Sequence, residues 1–364
     1  MPVINEASCT DCGICRERCP QNSRPSFTNN ECISVLGARY KDDELLKKSA
    51  SGGVFIGIAA MILETPGNAV FGCAFDEDMV AHHVCVTGMK DIAPLQSSKY
   101  VQSDTGDTYL QAKAMLEESK TVFYTGCPCQ IAGLYAFLGK DYDNLLTADL
   151  ICHGVPSPLL FKRYMDRLGK QLGETVIYYD FRSKEKGGWG LKNVTECKSR
   201  AKSKIAPLAA STYSYSFGER RVQRECCYSC KYTNANRVGD ITIGDFWGIE
   251  AAHPKFFDSR GVSVVLINTS KGERFFNMVR SGFDVIESTY EKASAQQTNL
   301  REPSPRPAVR DNAYKGIDNE AVDIFKNAAF KISVKVRVKA SIKQITPLFA
   351  IRFYKKMKRK LMGR

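Results

Sequence analysis

The chain has 364 residues, enough for one large domain or two smaller ones, and 43% of them are hydrophobic, which supports an ordinary globular core. Residues 331–364 hold twelve Lys and Arg and no Asp or Glu, so nearly all of the net charge of +13 belongs to this tail, and the body gives no electrostatic case for binding nucleic acid. Fourteen cysteines with no signal-peptide pattern favour metal or redox use in a reducing cytoplasm, and no apolar stretch reaches the roughly 18 residues that a transmembrane helix needs.

The first predicted element is a cysteine-rich head over residues 1–35. Its cysteines, with Pro20 directly behind, have the spacing of bacterial-type ferredoxins, so we predict a 4Fe–4S segment whose ligands are Cys9, Cys12, Cys15 and Cys19. Zinc sites usually show two separated Cys-x-x-Cys pairs instead. In two-cluster ferredoxins the fourth cysteine serves the other cluster, and no second run follows here. Cys19, Cys32 or a distant cysteine therefore completes the site, and a first ferredoxin half is either absent from the gene or missing from this sequence.

Residues 36–300 are predicted to form an α/β (mixed α+β) domain on a mixed sheet. Ser49 and Ser51 are expected to cap a buried helix over Val54–Leu63. Hydrophobic patterns predict strands at Ala69–Phe75, His83–Thr87, Thr121–Tyr124, Leu145–Ile151, Thr175–Phe181, Asp240–Ile243 and Val262–Ile267. Further helices are predicted at Tyr109–Glu118, Ile131–Leu138, Ser157–Gln171 and Gly272–Arg280. Thr125–Gln130 is predicted as a tight turn, and Gly187–Gly190 as a turn or mobile loop.

A second cysteine set depends on the βαβ unit around residue 130. Such a unit gives parallel strands, so Cys129 and Cys152 are expected on the same edge of one sheet. Cys227 and Cys230 form a Cys-x-x-Cys pair that can hold two corners of a cluster, bind zinc or act as a redox dithiol. The four cysteines together would complete a second cluster. The alternative is that Cys129 and Cys152 are small buried hydrophobic side chains.

The motifs together resemble one family. From Cys9 to about Thr269 the chain is similar to the family of coenzyme F-420 hydrogenase/dehydrogenase beta subunits. The resemblance is carried by the ferredoxin-like run and by Lys48–Phe55, Ser98–Ser103, Gly126–Gly133, Cys152–Ser157, Cys227–Lys231 and Gly239–Gly248. It implies an oxidoreductase that holds FAD and iron–sulfur clusters, with Cys129, Cys152, Cys227 and Cys230 as ligands of the second cluster. Cys127 and Cys226 stand where relatives usually have Thr and Ser and are left out of that set.

The resemblance also implies a flavin site. The residues expected to bind FAD are Ser49, Ser51, Gly52, Gly53, Lys99, Tyr100, Gln102, Ser103, Thr125 and Gly126. The chemistry agrees, because a Ser-Gly-Gly turn at a helix start offers N–H groups to a pyrophosphate, although capping explains the serines equally well. A lysine can pair with a phosphate, and a tyrosine can stack on a ring. His153 is a candidate general acid, but a single histidine is more often structural.

The predicted function is an iron–sulfur flavoprotein oxidoreductase. Electrons would pass between a ferredoxin-like donor or acceptor, the 4Fe–4S clusters and FAD, with hydride-type chemistry on a small molecule. Candidates for that molecule are coenzyme F-420 and a metabolite of a polysaccharide pathway, and the catalytic residues are not identified. The alternatives are a non-catalytic electron-transfer subunit of a larger redox complex and a zinc-stabilised binding module.

The C-terminal part is predicted to divide into a linker and helical segment at 301–330 and a basic tail at 331–364. Lys331–Lys339 alternates apolar and basic residues and indicates a strand or a helix. Ile345–Arg364 mixes apolar residues with a basic cluster, which suits peripheral contact of a cytoplasmic protein with the inner face of a membrane. A solvated or disordered tail is the alternative.

Overall fold

The computed structural model describes residues 4–20, 22, 28–184, 189, 192–197, 203–207 and 211–338. The strands within these residues are β1 (Ser34–Tyr40), β2 (Ala69–Phe75), β3 (Ala81–Val86), β4 (Val122–Gly126), β5 (Leu145–Leu150), β6 (Val176–Asp180), β7 (Lys192–Cys197), β8 (Ser203–Pro207), β9 (Ile241–Asp245), β10 (Ser263–Ile267) and β11 (Phe283–Ser288). The helices are α1 (Ile14–Glu17), α2 (Asp43–Lys48), α3 (Val54–Leu63), α4 (Thr108–Glu117), α5 (Pro128–Leu138), α6 (Pro158–Leu172), α7 (Thr212–Gly218), α8 (Ile249–Ala252), α9 (Ser270–Val279), α10 (Tyr290–Ser294) and α11 (Arg310–Tyr314).

The main sheet is mixed. Its strand order over the described residues is β11-β1-β10-β9-β5-β4-β2-β3. The central strands β2, β4, β5 and β9 are parallel neighbours, whereas β1, β10 and β11 on one side and β3 on the other pair antiparallel. The carboxyl ends of the four parallel strands therefore meet at one edge of the sheet, where ligands gather in such folds.

Helices cover both faces of this sheet because side chains alternate along its strands. Val70 and Phe123 face the layer of α3 and α9. Phe71 and Tyr124, the next residues on the same strands, face the layer of α4 and α5. Helix α3 is apolar all round, as expected for a helix buried against a sheet. The result is a three-layer core with the sheet in the middle.

A second, smaller sheet of β6, β7 and β8 lies beside the first. Its neighbours are α6 and α7, and their shared core is rich in aromatic rings, such as Phe161 against Phe181 and Tyr213. Phe325 and Phe330 pack into the same cluster, so segment 301–330 contributes side chains to the core.

The structure confirms the predicted α/β fold with a mixed sheet and corrects several local predictions. The predicted turn at Thr125–Gln130 is wrong, because β4 continues to Gly126 and α5 begins at Pro128. The predicted serine caps of α3 are also wrong. The hydroxyl of Ser49 donates to the Leu45 carbonyl and that of Ser51 to the Val262 carbonyl, and the helix is preceded by Gly53 at φ 78°.

Two more findings concern the C-terminal part and the membrane. The strand alternative for the alternating tail segment is wrong, since residues 334–338 are helical. The amphipathic segment Ile345–Arg364 and most of the Gly187–Gly190 loop lie outside the described residues. Among the helices that the structure describes, none combines the length and apolar character needed to cross a bilayer.

Candidate functional site

The N-terminal cysteines are presented by a short turn and the single-turn helix α1. Cys9, Cys12 and Cys15 are exposed and Cys19 is half-buried. Backbone N–H groups point at the first two sulfurs: Asp11 donates to Cys9 Sγ at 3.4 Å, and the Ile14 amide lowers the pKa of Cys12 by bonding its thiolate. Such N–H donors to sulfur are among the interactions that tune iron–sulfur clusters. The donor chemistry of the head thus fits a cluster.

Cys32, the alternative fourth ligand, has a different environment. Its thiol donates to the Ser34 carbonyl at 3.2 Å and packs against the apolar cluster that includes Val35. Burial raises the pKa of Cys32 to about 11. Because cluster ligands are thiolates, this environment favours Cys19 over Cys32 as the fourth ligand.

The inner cysteines come from three separate elements. Cys129 is the second residue of α5, which follows β4, and Cys152 follows β5. The third element is the turn Glu225–Ser229 with the residue after it, which supplies Cys227 and Cys230. Thiol–thiol electrostatic interactions link Cys129 to Cys152 and Cys230, and Cys227 to Cys152. The structure therefore brings the four predicted inner cysteines into one neighbourhood.

Cys127 and Cys226, which the sequence interpretation left out, belong to the same neighbourhood. The sulfurs of Cys127 and Cys152 lie 3.7 Å apart. This contact, followed by burial and the charges of nearby thiols, holds the pKa of Cys127 well above its usual value. The hydrogen bond between the side chains of Cys226 and Cys227, followed by burial, likewise raises the pKa of Cys227 far above its usual range.

Crowded thiols of this kind resist becoming thiolates together, whereas a bound metal deprotonates its thiols outright. Burial also raises the pKa of Cys230. Within the part of the chain that the structure describes, no three His, Cys, Asp or Glu side chains are already arranged around a single-ion site. The inner cysteines consequently have the donor type of a thiolate-bound metal centre. The elements that carry them would have to move closer together to bind one.

A cavity of about 250 Å³ opens at the carboxyl ends of the parallel strands, next to these cysteines. Cys127 and Cys152 form part of its wall. Of the residues expected to bind a flavin, those that line the cavity are Ser49, Ser51, Gly53, Lys99, Tyr100, Ser103, Thr125 and Gly126. The first residues of α3, Val54 and Phe55, also line it, so the helix N-terminus with its partial positive charge borders the cavity.

Two of the expected flavin residues do not line the cavity. The backbone N–H of Gly52 is occupied by Ser263 Oγ at 2.9 Å, and a Cβ at this position would lie 2.2 Å from the Ala38 carbonyl oxygen. Gly52 thus serves the close packing of the turn on the sheet. Gln102 is tied by its backbone N–H to the Pro156 carbonyl at 3.1 Å.

Three cationic side chains lie at the cavity or beside it: Arg182 and Lys184 contact the turn before α3, and Lys99 lines the cavity. Arg182 pairs with Asp245 at 2.7 Å and donates to the Ala50 carbonyl at 3.0 Å. Lys184 donates to the carbonyls of Leu46 and Ser51, and Lys99 to those of Pro94 and Gln96. Within the described ranges, neither lysine has a carboxylate within ion-pair distance. Burial lowers the pKa of Lys99 to about 8 and that of Lys184 to about 7. Lys99 lines the cavity and Lys184 donates to Ser51 on its wall, so an anion bound beside Ser51 would stabilise both charges.

Two histidines line the cavity, and both are neutral at pH 7. His83 is buried between the Thr125 carbonyl and Ser103 Oγ, each 3.0 Å away, and burial lowers its pKa to about 4. Burial also lowers the pKa of His153 to about 4, and its Nδ1 lies 2.6 Å from Asn299 Oδ1. A neutral His153 is a poor general acid, so this candidate role is not supported.

Several residues in or beside the cavity were missed by sequence interpretation. Cys127 had been left out on the resemblance, although it adjoins a helix start next to Cys129. Arg182, which lines the cavity, and Lys184, which donates to Ser51 on the cavity wall, follow β6 with no motif around them. Gln297 lies in a polar segment without a hydrophobic pattern. For Arg182 the available signal was a charged residue immediately after a predicted strand.

Comparisons with known proteins agree with this architecture. The protein-family model for the C-terminal part of the coenzyme F420 hydrogenase/dehydrogenase beta subunit matches residues 119–292, and a 4Fe–4S binding domain matches residues 2–24. The second match confirms the predicted iron–sulfur head. Among curated proteins, the F subunit of the F(420)H(2) dehydrogenase of Methanosarcina mazei is 24% identical over 289 residues, which are 77% of this chain and 72% of that protein.

Among solved structures, a chain of the xenon-derivatised F420-reducing [NiFe] hydrogenase complex from Methanosarcina barkeri is 19% identical. The match covers 76% of this chain and 92% of that chain, with a TM-score of 0.49, which is too low to establish a common fold. The family assignment therefore depends on the sequence matches. The recognition made from the motifs is confirmed by them: residues 119–292 match the family model of the coenzyme F420 hydrogenase/dehydrogenase beta subunit, and the chain is similar in sequence to a curated protein of that kind.

Proposed function

We propose that this chain is an iron–sulfur flavoprotein oxidoreductase that passes electrons between a ferredoxin-like partner, two 4Fe–4S clusters and FAD. One observation carries the proposal. The cavity at the carboxyl ends of the parallel strands is lined by Cys152, a member of the inner cysteine set, and by its neighbour Cys127. A redox cofactor in this cavity would therefore lie beside a metal centre that has Cys152 among its ligands.

The cavity residues fit FAD. The pyrophosphate would be held at the N-terminus of α3 by Ser51, Gly53 and the charges of Lys99, which lines the cavity, and Lys184, which donates to the Ser51 carbonyl. Thr125 and Gly126 would bring the flavin ring to the end of β4, next to Cys127. When bound, a flavin supplies both hydride exchange with an organic molecule and single-electron exchange with clusters. This chain contributes binding, orientation and exclusion of water.

The head and the inner set are joined by a direct contact, which supports a relay between two clusters. The Tyr232 hydroxyl donates to the Pro20 carbonyl at 2.6 Å. Pro20 follows Cys19, and Tyr232 lies two residues after Cys230. We propose Cys9, Cys12, Cys15 and Cys19 as ligands of the outer cluster, and Cys129, Cys152, Cys227 and Cys230 as ligands of the inner one.

A second candidate function is an electron-transfer subunit that serves a partner enzyme. The observation that favours it is the name of the curated relative, which is a subunit of a dehydrogenase. In that case partner subunits would complete the reaction, and coenzyme F-420 would be the natural first molecule to assay. The two functions share the same clusters and differ in whether the isolated chain oxidises or reduces a small molecule.

Optical titration of protein purified without oxygen tests the proposal. We expect the broad visible absorption of iron–sulfur clusters together with the sharper flavin bands, and bleaching of both as dithionite is added. A colourless protein that contains zinc near stoichiometry would contradict the proposal and favour the binding module. Turnover of reduced F-420 with an artificial acceptor would separate the enzyme from the electron-transfer subunit.

A further inference from the structure

One wall of the cavity contains a buried hydrogen-bond acceptor that has no partner within the described part of the chain. Gln297 is 1% exposed and lines the cavity. Its Nε2 donates to the Asp245 carbonyl at 2.6 Å, and since a carbonyl oxygen only accepts, this bond fixes which end of the amide is nitrogen. Oε1 then points elsewhere, and it is buried without a hydrogen-bond partner among the residues that the structure describes. Leaving such an acceptor unsatisfied costs about 1–3 kcal/mol, so a ligand donor is the expected partner.

A second acceptor follows from the bonds of the neighbouring turn Thr298–Leu300. Asn299 Nδ2 donates to the Glu302 carbonyl at 3.4 Å and to Ser304 Oγ at 3.1 Å. Asn299 Oδ1 is therefore the oxygen that faces His153 Nδ1, and His153 Nδ1 carries the proton. In this tautomer Nε2 carries a lone pair. Gln297 and His153 thus present acceptors, and the same short segment of chain positions both.

The chemistry at this wall complements that of the lysines. Lys99 and Lys184 offer charge to an anion, whereas Gln297 and His153 offer neutral acceptors to N–H or O–H donors. A molecule with a phosphate at one end and a ring bearing an N–H at the other satisfies both groups. A pyrimidinedione ring, whose imide N–H lies between two carbonyls, has such a donor, and it occurs both in FAD and in the deazaflavin of coenzyme F-420.

We propose that Gln297 Oε1 binds the imide N–H of a pyrimidinedione ring in the cavity. The inference deepens the proposed flavin function and rests on it. It assigns Gln297 as a positioning residue, since the acceptor fixes the in-plane orientation of the ring. It also predicts that the site distinguishes FAD from its imide N-methyl derivative by more than their difference in size, because methylation of the imide nitrogen removes the N–H donor.

The test uses the full chain depleted of flavin, with FAD and its imide N-methyl derivative as probes. Wild type should bind FAD about tenfold more tightly than the methylated form. Gln297→Met should bind FAD about tenfold more weakly than wild type and should no longer distinguish the two probes. Gln96→Met is the matched control, because Gln96 lines the same cavity but its side-chain oxygen is not an orphaned buried acceptor.

A second arm separates the two sources of the ring. If Gln297→Met binds FAD as wild type does, but raises the KM for reduced F-420 about tenfold in the flavin-loaded protein, the donor belongs to the deazaflavin and the acceptor role stands. Unchanged FAD affinity and unchanged KM overturn the inference. Wild type that binds no flavin overturns the proposed function itself, and the inference with it.

Folding of the variant is checked by its thermal unfolding midpoint and its iron content. If Gln297→Met does not fold, Gln297→Leu provides the second variant, since it also removes the Oε1 acceptor. The same loss of discrimination between the probes is expected. A folded Gln297→Leu that still prefers FAD about tenfold would contradict the inference.

Discussion

The two cysteine sets are built in different ways. The head thiols lie within eleven residues of one another and are mostly exposed on a single-turn helix and its approach. The inner thiols come from the ends of β4 and β5 and from a turn about eighty residues further along the chain. A cluster in the head is therefore a property of local spacing, whereas a cluster in the inner set requires the whole sheet to be folded.

The largest expected effect comes from changing Cys227 and Cys230 to Ser together. Serine is a poor substitute for a thiolate ligand of iron, so about half of the iron should be lost. FAD affinity should fall as well, because the same metal centre borders the cavity through Cys152. Chemical iron and flavin assays measure both effects.

Cys85→Ser is the control for that double variant. Cys85 lies on β3 and packs against the core cluster of α4 and α5, and burial raises the pKa of its thiol without a contribution from either predicted ligand set. Its iron content should equal that of wild type. Equal iron content in the double variant and in wild type would show that the inner cysteines hold no cluster.

Changing Cys12 to Ser should remove the cluster of the head and leave the flavin bound. The other half of the iron should be lost, with FAD retained, because none of the described head residues lines the cavity. Reduction of the bound flavin by a reduced ferredoxin should become much slower. A variant that loses its flavin along with this iron would mean that the two regions fold as one unit.

These two regions also show how far the sequence predicts the molecule. The head was predicted from spacing alone, and the shared edge of Cys129 and Cys152 from the rule that a βαβ unit gives parallel strands. Lys184 and Gln297 were not predicted, since their roles come from contacts with residues more than fifty positions away. No periodicity in their own segments indicates such contacts.

Missed strands have a similar explanation. Strand β11 forms the edge of the main sheet and carries Asp284 and Glu287, so its pattern is not that of a buried strand. Charged residues on edge strands are common because they discourage pairing with other chains. Strand β1 contains Gly37 and Arg39, which weaken its hydrophobic alternation. Tertiary packing, rather than local propensity, specifies both strands.

Two glycines, Gly13 in the head and Gly52 in the turn before α3, differ in how much a substitution should lower the free energy of unfolding. A Cβ at Gly52 would lie 2.2 Å from the Ala38 carbonyl oxygen and 2.4 Å from the Ser263 nitrogen, both backbone atoms. Gly52→Ala should therefore lower the free energy of unfolding by at least about 3 kcal/mol. Gly13 has φ 74° with nothing near its missing Cβ, so Gly13→Ala should cost only about 1 kcal/mol. Urea unfolding of both variants measures the difference, and equal costs would contradict it.

The smallest expected effect is on the pH dependence of FAD binding. Burial lowers the pKa of Lys184 to about 7, so the side chain is charged below this pH and neutral above it. Affinity for the pyrophosphate should therefore fall as the pH rises from about 6 to about 9, and Lys99, with its pKa near 8, should contribute the later part.

Lys184→Met should weaken FAD binding at about pH 6 and flatten the first part of this pH profile. The exposed Lys113, which pairs with Glu117 on α4, gives the control variant Lys113→Met, whose profile should match wild type. Calorimetric titration across the pH range provides the measurement. A wild-type affinity that rises with pH would contradict the assignment of the lysines to an anion.

The content of iron, acid-labile sulfide and flavin in protein purified without oxygen tests the central claim most directly. Two four-iron clusters beside one flavin predict about eight irons, about eight sulfides and one FAD per chain. About four irons with no flavin would contradict the account, since the inner cysteines and the cavity beside them would then hold neither cofactor.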